Sequence, residues 1–176
     1  MHNWNVVVTV RDRRLGTAKR LLSRFGYADR SGFFNVLVMR VDDGRAMLEK
    51  LQAEPKGDGG ILSRVVPTPC TFDFASPEEF GTKAWSAIEG FVPELKGRSF
   101  HVRVHRRGSK GRLSSQNEER RLDQALLEAL ARAGTPGRVE FVDPDAIVVV
   151  EVVGPRAGAS LWTREDLRRY PLLRLD

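Results

Sequence analysis

A run of basic residues in the middle of the chain carries the side chains best suited to contacting a polyanion. From Lys96 to Arg112 the sequence holds seven Lys or Arg residues, two His and no acid. Guanidinium forks match phosphate oxygens, and basic charge concentrated in one segment is typical of surfaces that bind phosphate groups. The candidate phosphate contacts are Arg98, His101, Arg103, His105, Arg106, Arg107, Ser109, Lys110 and Arg112.

A strand and a glycine-containing loop are predicted to position these side chains. Along 99–105, three apolar residues (Phe100, Val102, Val104) alternate with three basic ones (His101, Arg103, His105). The period of two predicts a half-buried strand with one cationic face. The loop that follows contains Gly108 and Gly111, which let the backbone approach a ligand, and it leads to a helix start that favours anions. The alternative is a solvated loop whose charges only aid solubility.

The motifs of common enzymes and metal sites are missing from the sequence. His101 and His105 are four residues apart, but on a strand and without the glutamate of an HExxH zinc site. The segment 108–111 lacks the spacing of a phosphate-binding loop of the G-x-x-x-x-G-K type, and no G-x-S-x-G motif is present. We therefore expect no catalytic residue, no cofactor and no metal.

Two isolated features have a chemical interpretation and a simpler structural one. Asp143 and Asp145 flank Pro144, and their carboxylates could hold Mg²⁺, but a turn between strands is the favoured interpretation. Cys70 is the one cysteine, so it forms no intrachain disulfide, and we interpret it as a small apolar residue rather than a nucleophile.

The first 75 residues are predicted to form an α+β unit with the element order βαββαβ. Predicted strands are 4–10, 27–30, 33–41 and 61–66, and predicted helices are 13–25 and 43–54, the second ended by Pro55. This order is that of a ferredoxin-like fold. A further strand over 71–74 is expected to close the same unit.

A second unit is predicted from Ser76, which with Glu79 forms a capping box that opens a helix ending near Pro93. The later elements are strand 99–105, a helix to 133 with a capping box from Ser115 to Glu118, strands 138–142, 146–153 and 157–162, and a short helix capped by Thr163. The nearly continuous apolar residues of 146–153 predict a strand buried on both faces. The domains are accordingly 1–75 and 76–176.

Further basic groups lie outside the central run. One surrounds the first helix: Arg11, Arg13, Arg14, Lys19, Arg20 and Arg24. An ordinary solvated helix face is the favoured interpretation, and an auxiliary polyanion-binding surface is the alternative. The tail adds Arg164, Arg168, Arg169 and Arg174, on a short helix expected to pack at a domain end. Trp162 is the aromatic residue we would test for base stacking, although core burial is favoured for it.

The second unit resembles the THUMP domain family. The resemblance covers about 76–163 and depends on the order of several motifs: a helix, the strand at Ser99-Phe100, the basic loop 106–111, a helix starting Ser-x-x-Glu, and Val139-x-Phe141-Val142-Asp143-Pro144-Asp145 leading into a β-branched strand with Glu151. The Pro144-Asp145 step is the strongest single match. THUMP domains usually follow a ferredoxin-like domain, which agrees with the prediction for 1–75.

The resemblance implies binding of structured RNA, with tRNA contacted along its backbone and near its acceptor end. Other THUMP proteins carry a thiouridine synthase or methyltransferase domain after this region, whereas this chain stops at Asp176. It is similar in this respect to the free-standing THUMP protein that accompanies the tRNA cytidine acetyltransferase. We therefore expect a non-catalytic RNA-binding accessory to a separate tRNA-modifying enzyme. A protein-binding scaffold and an RNA-modifying enzyme in its own right are the alternatives.

The bulk composition agrees with a globular protein that binds a polyanion. The net charge is +6 in 176 residues, and no run approaches the roughly 18 apolar residues of a membrane helix. The N-terminus lacks the pattern of a signal peptide, so we expect a cytoplasmic protein without a membrane partner.

Overall fold

The computed structural model describes residues 3–53, 60–108 and 111–175 of the chain. Pro55, predicted to end the second helix, lies outside them. The strands are Val6–Val10 (β1), Ala28–Arg30 (β2), Val36–Met39 (β3), Leu62–Pro67 (β4), Cys70–Asp73 (β5), Ser99–Arg107 (β6), Arg138–Val139 (β7), Ala146–Val153 (β8) and Arg156–Thr163 (β9). The α-helices are Leu15–Leu22 (α1), Gly44–Ala53 (α2), Pro77–Ile88 (α3), Ser115–Arg132 (α4) and Arg164–Arg169 (α5), and a 3₁₀ helix spans Glu89–Leu95.

The chain divides by its internal contacts into two compact units. Unit 1 comprises residues 1–69 and 167–174, and unit 2 comprises residues 70–166. The predicted division lies near residue 75, whereas in the structure strand β5 belongs to unit 2 and the second half of α5, from Leu167, belongs to unit 1.

Unit 1 is built on a four-stranded antiparallel sheet with the strand order β2-β3-β1-β4. Its element order βαββαβ confirms the predicted ferredoxin-like arrangement. Helix α1 contributes the buried side chains Ala18 and Leu22 to this unit. The tail segment 167–174 completes it, since the Val65 N–H donates to the Leu172 carbonyl (2.9 Å) and Arg169 forms an ion pair with Glu49 (2.8 Å).

Unit 2 is built on a mixed five-stranded sheet with the order β5-β9-β8-β6-β7. Strand β6 is parallel to β7 and β8, whereas β9 is antiparallel to β8 and β5. The expectation that residues 71–74 close the first unit is wrong, because β5 pairs with β9, where Cys70 lies opposite Ala159. Local apolar alternation identified the strand correctly but carries no information about its partner 80 or more residues away.

Helices α3 and α4 pack on one face of this sheet and form the core of unit 2. The buried side chains of α3 are Phe80, Ala84 and Ile88, as the predicted stripe requires, and those of α4 include Leu122, Leu126 and Leu130. All eight residues of β8 are buried, which confirms the prediction of a strand covered on both faces. In the described part of the chain, no helix combines the length and apolarity needed to cross a membrane.

The predicted N-terminal cap is confirmed for α3 and is shifted by one residue for α4. The Ser76 hydroxyl accepts from the Glu79 N–H (3.1 Å), and Glu79 accepts in return from the Ala75 N–H (2.8 Å), so the predicted cap of α3 is confirmed. Helix α4 is capped one residue earlier than expected, by Ser114, whose hydroxyl accepts from the Asn117 N–H (3.3 Å).

Candidate nucleic-acid interface

Strand β6 alternates as predicted, but only one of its faces behaves as expected. Phe100, Val102 and Val104 point into the core of unit 2, and each is at most 4% exposed. The strand also runs two residues further than predicted, so that Arg106 and Arg107 belong to it rather than to the loop.

His101 does not lie on an exposed cationic surface, and that part of the prediction is wrong. The residue is 1% exposed, and its Nδ1 lies 2.8 Å from the Glu140 carbonyl oxygen. Its Nε2 is buried without a hydrogen-bond partner among the residues that the structure describes. The ring centroid lies 5.4 Å from that of Phe141, so the imidazole packs against the connection between β7 and β8. Backbone phosphates cannot reach it in this arrangement.

The buried carboxylate of Glu151 contacts two further candidate residues, His105 and Arg107. This role of Glu151 was not predicted from the sequence. Glu151 on β8 is 0% exposed and lies opposite His105 in the register of the two parallel strands. One of its oxygens is 3.1 Å from His105 Nδ1, and the other accepts from Arg107 Nη1 at 2.7 Å. Burial also lowers the pKa of the Arg107 guanidinium from its ordinary value. His105 and Arg107 therefore serve first to compensate a buried acid.

Two carboxylates of helix α4 satisfy the outer edge of β6. Strand β7 pairs with β6 only at Ser99 and Phe100. Among the described residues, no strand therefore pairs with the later backbone N–H groups on this edge of β6. The Val102 N–H donates to Asp123 (2.7 Å), and the Val104 N–H donates to Glu119 (2.8 Å), one helical turn away. These bonds meet the requirement that buried backbone donors be paired.

The environment of Asp123 makes its carboxyl unusually basic. Burial raises its pKa to about 7, the Val102 N–H opposes that change, Glu119 adds to it, and Arg103 opposes it. The side chain of Arg103 is 34% exposed, and its guanidinium lies 3.9 Å from Glu119. Arg103 is thus the member of the strand's cationic face that remains most accessible while helping to balance the α4 carboxylates.

The loop after β6 is basic, and two glycines determine its backbone conformation. Gly108 and Gly111 have φ angles of 94° and 78°, in the left-handed region that favours glycine, and a guanidinium nitrogen of Arg106 donates to the Gly108 carbonyl. Arg112 is exposed. Ser109 and Lys110, two predicted contacts, lie outside the described residues.

Arg112 faces a small cleft at one end of unit 2. The cleft has a volume of about 160 Å³ and is lined by the start of α3 (Ser76, Pro77), by Arg112 and Leu113, and by Gly154 and Pro155 of the turn between β8 and β9. Two helix starts, those of α3 and α4, therefore flank the basic loop. A helix start carries partial positive charge, but the first turn of α3 holds Pro77, which has no N–H, and the acids Glu78 and Glu79, so the positive charge at this end comes from the side chains of the loop.

Arg98 belongs to a different part of the surface. It is exposed and immediately precedes β6, whose nine residues separate it from the loop. At about 3.3 Å per residue this amounts to roughly 30 Å. The predicted contacts consequently divide into three groups. The first lies at the loop end of β6: Arg106 on the strand, Arg112 and, by sequence, Ser109 and Lys110. The second is the partly engaged group on β6, and the third is Arg98 at the far end.

The carboxylates considered for Mg²⁺ are occupied by protein groups. Asp145 accepts from the Ser99 N–H and hydroxyl, both at 2.9 Å, and these bonds are the main cause of its lowered pKa. Arg164 forms ion pairs with Asp143 (2.8 Å) and Asp145 (3.2 Å). Within residues 3–53, 60–108 and 111–175, no three His, Cys, Asp or Glu side chains are grouped so as to hold a metal ion.

Two other residues singled out by the sequence have structural roles. Trp162 is 3% exposed, and its indole N–H donates to the Ser160 hydroxyl (2.8 Å), so the favoured interpretation of core burial holds. Cys70 is partly buried, and burial raises the pKa of its thiol, which is the opposite of nucleophile activation. The aromatics that are exposed are instead Tyr27 (65%), Phe34 (71%) and Phe141 (63%), none of which the alternation pattern indicated.

Comparison with known proteins finds similar folds among solved structures. No family model matches the sequence, and no curated protein sequence matches it. Among solved structures, the chain is similar to PH1313 from Pyrococcus horikoshii (TM-score 0.61, 14% identity, 92% of this chain) and to TrmN from Thermus thermophilus (TM-score 0.60, 21% identity, 90% of this chain). It is also similar to a 4-thiouridine synthetase solved with RNA and bound ATP (TM-score 0.56, 14% identity, 92% of this chain).

The likeness concerns only part of each of those proteins. The chain covers 55% of PH1313, 44% of TrmN and 42% of the synthetase. At these identities the comparison establishes the fold, and it does so over both units. The chain therefore has a THUMP-like α+β fold. Its first unit along the sequence has the ferredoxin-like element order.

Proposed function

We propose that this protein binds structured RNA, specifically tRNA, and presents it to a separate tRNA-modifying enzyme without catalysing the modification itself. The observation that carries the proposal is the loop end of unit 2. There the exposed Arg112 and the left-handed glycines Gly108 and Gly111 lie beside the starts of α3 and α4. Such a surface grips the phosphates of an RNA backbone and its acceptor end by position and charge rather than by sequence.

The charge distribution around the loop supports this use. The sequence has no acid between Glu94 and Glu118, so none of the loop's positive charge is neutralised by a neighbour along the chain. Glu151, the acid that meets the end of β6, is fully buried between His105 and Arg107. Arg106 and Arg112 are not paired with that acid, and Lys110 adds a third positive charge to the segment by sequence, which favours a polyanion.

The burial and hydrogen bonding of the titratable side chains support a role in RNA binding rather than in catalysis. A carboxyl with a pKa near 7, such as that of Asp123, is a common sign of an acid or base in catalysis. Asp123, however, is 6% exposed and accepts the Val102 N–H at the sheet edge. His105 and Glu151 bond to each other within the fold. Each of these groups therefore has a structural task that explains its environment.

The structural likeness supports RNA as the polyanion. One similar protein is a 4-thiouridine synthetase whose structure contains RNA, and another is TrmN. This chain corresponds to less than half of each of them. Assigning tRNA as the ligand, and a separate chain as the source of catalysis, extends that likeness and forms part of the proposal.

Binding of intact tRNA by the purified chain tests the RNA part of the proposal. We expect affinity to fall steeply with salt, log K declining linearly with log[salt] according to the number of phosphates neutralised. Removing the unpaired 3′ end of the tRNA should weaken binding, whereas removing the anticodon stem-loop should not. Equal binding of all three RNAs would contradict recognition of the acceptor end, and an absence of binding at low salt would favour a protein-binding scaffold.

An assay of the chain alone tests the accessory role. We expect no change in the nucleoside composition of bulk tRNA incubated with the purified protein and the common cofactors of tRNA modification. Turnover by the chain without a partner enzyme would establish an enzyme and contradict the accessory assignment.

A further inference from the structure

Unit 1 exposes two large aromatic side chains that its own core does not use. Tyr27 is 65% exposed and Phe34 is 71% exposed. A single exposed apolar residue is normal on a protein surface. These two differ from that case because each ring has a cationic group positioned over it.

The cations come from helix α1 and its flanks. The guanidinium carbon of Arg13 lies 5.4 Å from the centroid of the Phe34 ring, and Lys19 Nζ lies 5.2 Å from that of Tyr27. Arg24 lies 4.8 Å from the ring of its neighbour Phe25. All three distances are within the range of cation–π attraction.

The topology of unit 1 places these pairs along one flank. Tyr27 immediately precedes β2, the edge strand of the sheet, and Phe34 lies in the turn that joins β2 to β3. That turn meets the loop before α1, since the Val10 N–H donates to the Asn35 carbonyl at 2.8 Å. Helix α1, from Leu15 to Leu22, covers roughly 11 Å of this flank. The flank formed by α1, Tyr27 and the 31–35 turn, here called the α1–β2 flank, is thus a row of rings and cations.

The charge of this flank favours an anionic occupant. Between Arg11 and Phe34 the sequence has seven Lys or Arg residues against two acids, Asp12 and Asp29. The Arg30 N–H donates to Asp29 at 2.8 Å and is the main cause of its lowered pKa, so this carboxylate stays ionised, and seven cations against two acids leave the segment five positive charges. An anionic ligand with flat apolar faces matches both properties of the flank.

We propose that the α1–β2 flank is a second nucleic-acid site, which binds unpaired nucleotides of RNA by stacking bases on Tyr27 and Phe34. Arg13, Lys19 and Arg24 neutralise the adjoining phosphates. Unpaired bases stack on aromatic side chains and on guanidinium planes, whereas the grooves of an A-form duplex offer no base face. The flank therefore complements the loop end of unit 2, which suits a duplex backbone. This inference deepens the proposed function, on which it rests for the identity of the ligand as RNA.

Binding of short RNAs to the full chain tests the inference. The probes are a fluorescein-labelled 12-nucleotide oligouridylate and a 12-base-pair RNA duplex, each titrated by fluorescence anisotropy at low salt. Base–aromatic stacking is lost on alanine substitution at about 1–3 kcal/mol per base, which corresponds to at least about fivefold in affinity. We expect Tyr27→Ala with Phe34→Ala to weaken oligouridylate binding at least tenfold and to leave duplex binding unchanged.

Matched variants separate stacking from general effects. Phe34→Trp retains a stacking face and should restore the binding lost in Phe34→Ala. Phe141→Ala, which removes an aromatic ring of similar exposure (63%) from unit 2, should not affect oligouridylate binding. Unchanged oligouridylate affinity in the double variant, or an equal loss in Phe141→Ala, would overturn the inference.

The two RNA probes also distinguish this inference from the proposed function. Loss of oligouridylate binding in the Tyr27 and Phe34 variant, with tRNA binding unaffected by substitutions in the 108–112 loop, would uphold the flank and contradict the proposed loop site. The opposite pattern would contradict the flank and leave the loop site standing.

Discussion

Replacement of Asp123 by Asn should remove a pH-dependent loss of stability from this protein. Asp123 is 6% exposed, and its folded-state pKa is raised to about 7 from an ordinary 3.8, chiefly by burial. Between these two values the folded state binds a proton that the unfolded state releases, so the free energy of unfolding falls as pH rises. The interval corresponds to at most about 4 kcal/mol, at 1.36 kcal/mol per pH unit. Above pH 7 the contribution is constant.

The Asn side chain is suited to isolating this effect. Its carbonyl oxygen can accept from the Val102 N–H as the carboxylate does at 2.7 Å, and its amide can donate to the neighbouring Glu119. Urea unfolding followed by circular dichroism, from about pH 4.5 to about pH 8.5, gives the difference in unfolding free energy between variant and parent. We expect this difference to shift in favour of Asn by about 2–4 kcal/mol over that range.

A second carboxylate provides the control with the opposite sign. Hydrogen bonds from Ser99 lower the pKa of Asp145, so its carboxylate stabilises the fold above the unfolded-state pKa and loses that effect as pH falls. Asp145→Asn should therefore become less stable relative to the parent as pH rises only below about pH 4, and the difference should stay constant from about pH 4.5 to about pH 8.5. A difference for Asp123→Asn that does not change with pH would refute the account of its burial.

The remaining predictions concern the elements that support the interface. Glu151→Ala should destabilise the protein by about 3–5 kcal/mol, because Arg107, which bonds to it at 2.7 Å, would be left half-buried and without its acid; thermal unfolding measures this. Ser76→Ala should cost about 1 kcal/mol through loss of the α3 cap, and Ser76→Thr should retain most of the stability. Gly111→Ala should lower the melting temperature and weaken tRNA binding, since a φ of 78° is strained for alanine even though no atom lies within 4 Å of an added Cβ.

Local patterns were sufficient to predict most helices and strands, because apolar periodicity reports directly on which side chains face inward. The stripe of α3, the doubly buried β8 and the βαββαβ order of unit 1 are examples. The pairing of β5 with β9 could not be obtained in this way, since it joins segments far apart in the chain. The cap of α4 was displaced by one residue because Ser114 and Ser115 are chemically equivalent candidates.

The candidate interface was predicted less completely, for a related reason. Alternation places His101 and His105 on one face of β6, but it does not reveal whether another part of the fold covers that face or whether an acid such as Glu151 lies opposite. The exposed Tyr27 and Phe34 were missed because aromatic residues next to strands are ordinarily interpreted as core. The basic loop was recognisable because glycines and charges act locally.

Binding of tRNA by a loop variant tests the central claim most directly. Lys110→Ala with Arg112→Ala removes two charges from the loop, leaving the ion pairs of Glu151 intact. The control, Lys96→Ala with Arg132→Ala, removes equal charge from exposed positions near the other end of β6. We predict that the loop variant binds tRNA at least tenfold more weakly and that its salt slope falls by about 2, one for each phosphate contact, while the control binds like the parent. Equal affinities for the two variants would contradict the assignment of the RNA site to this loop.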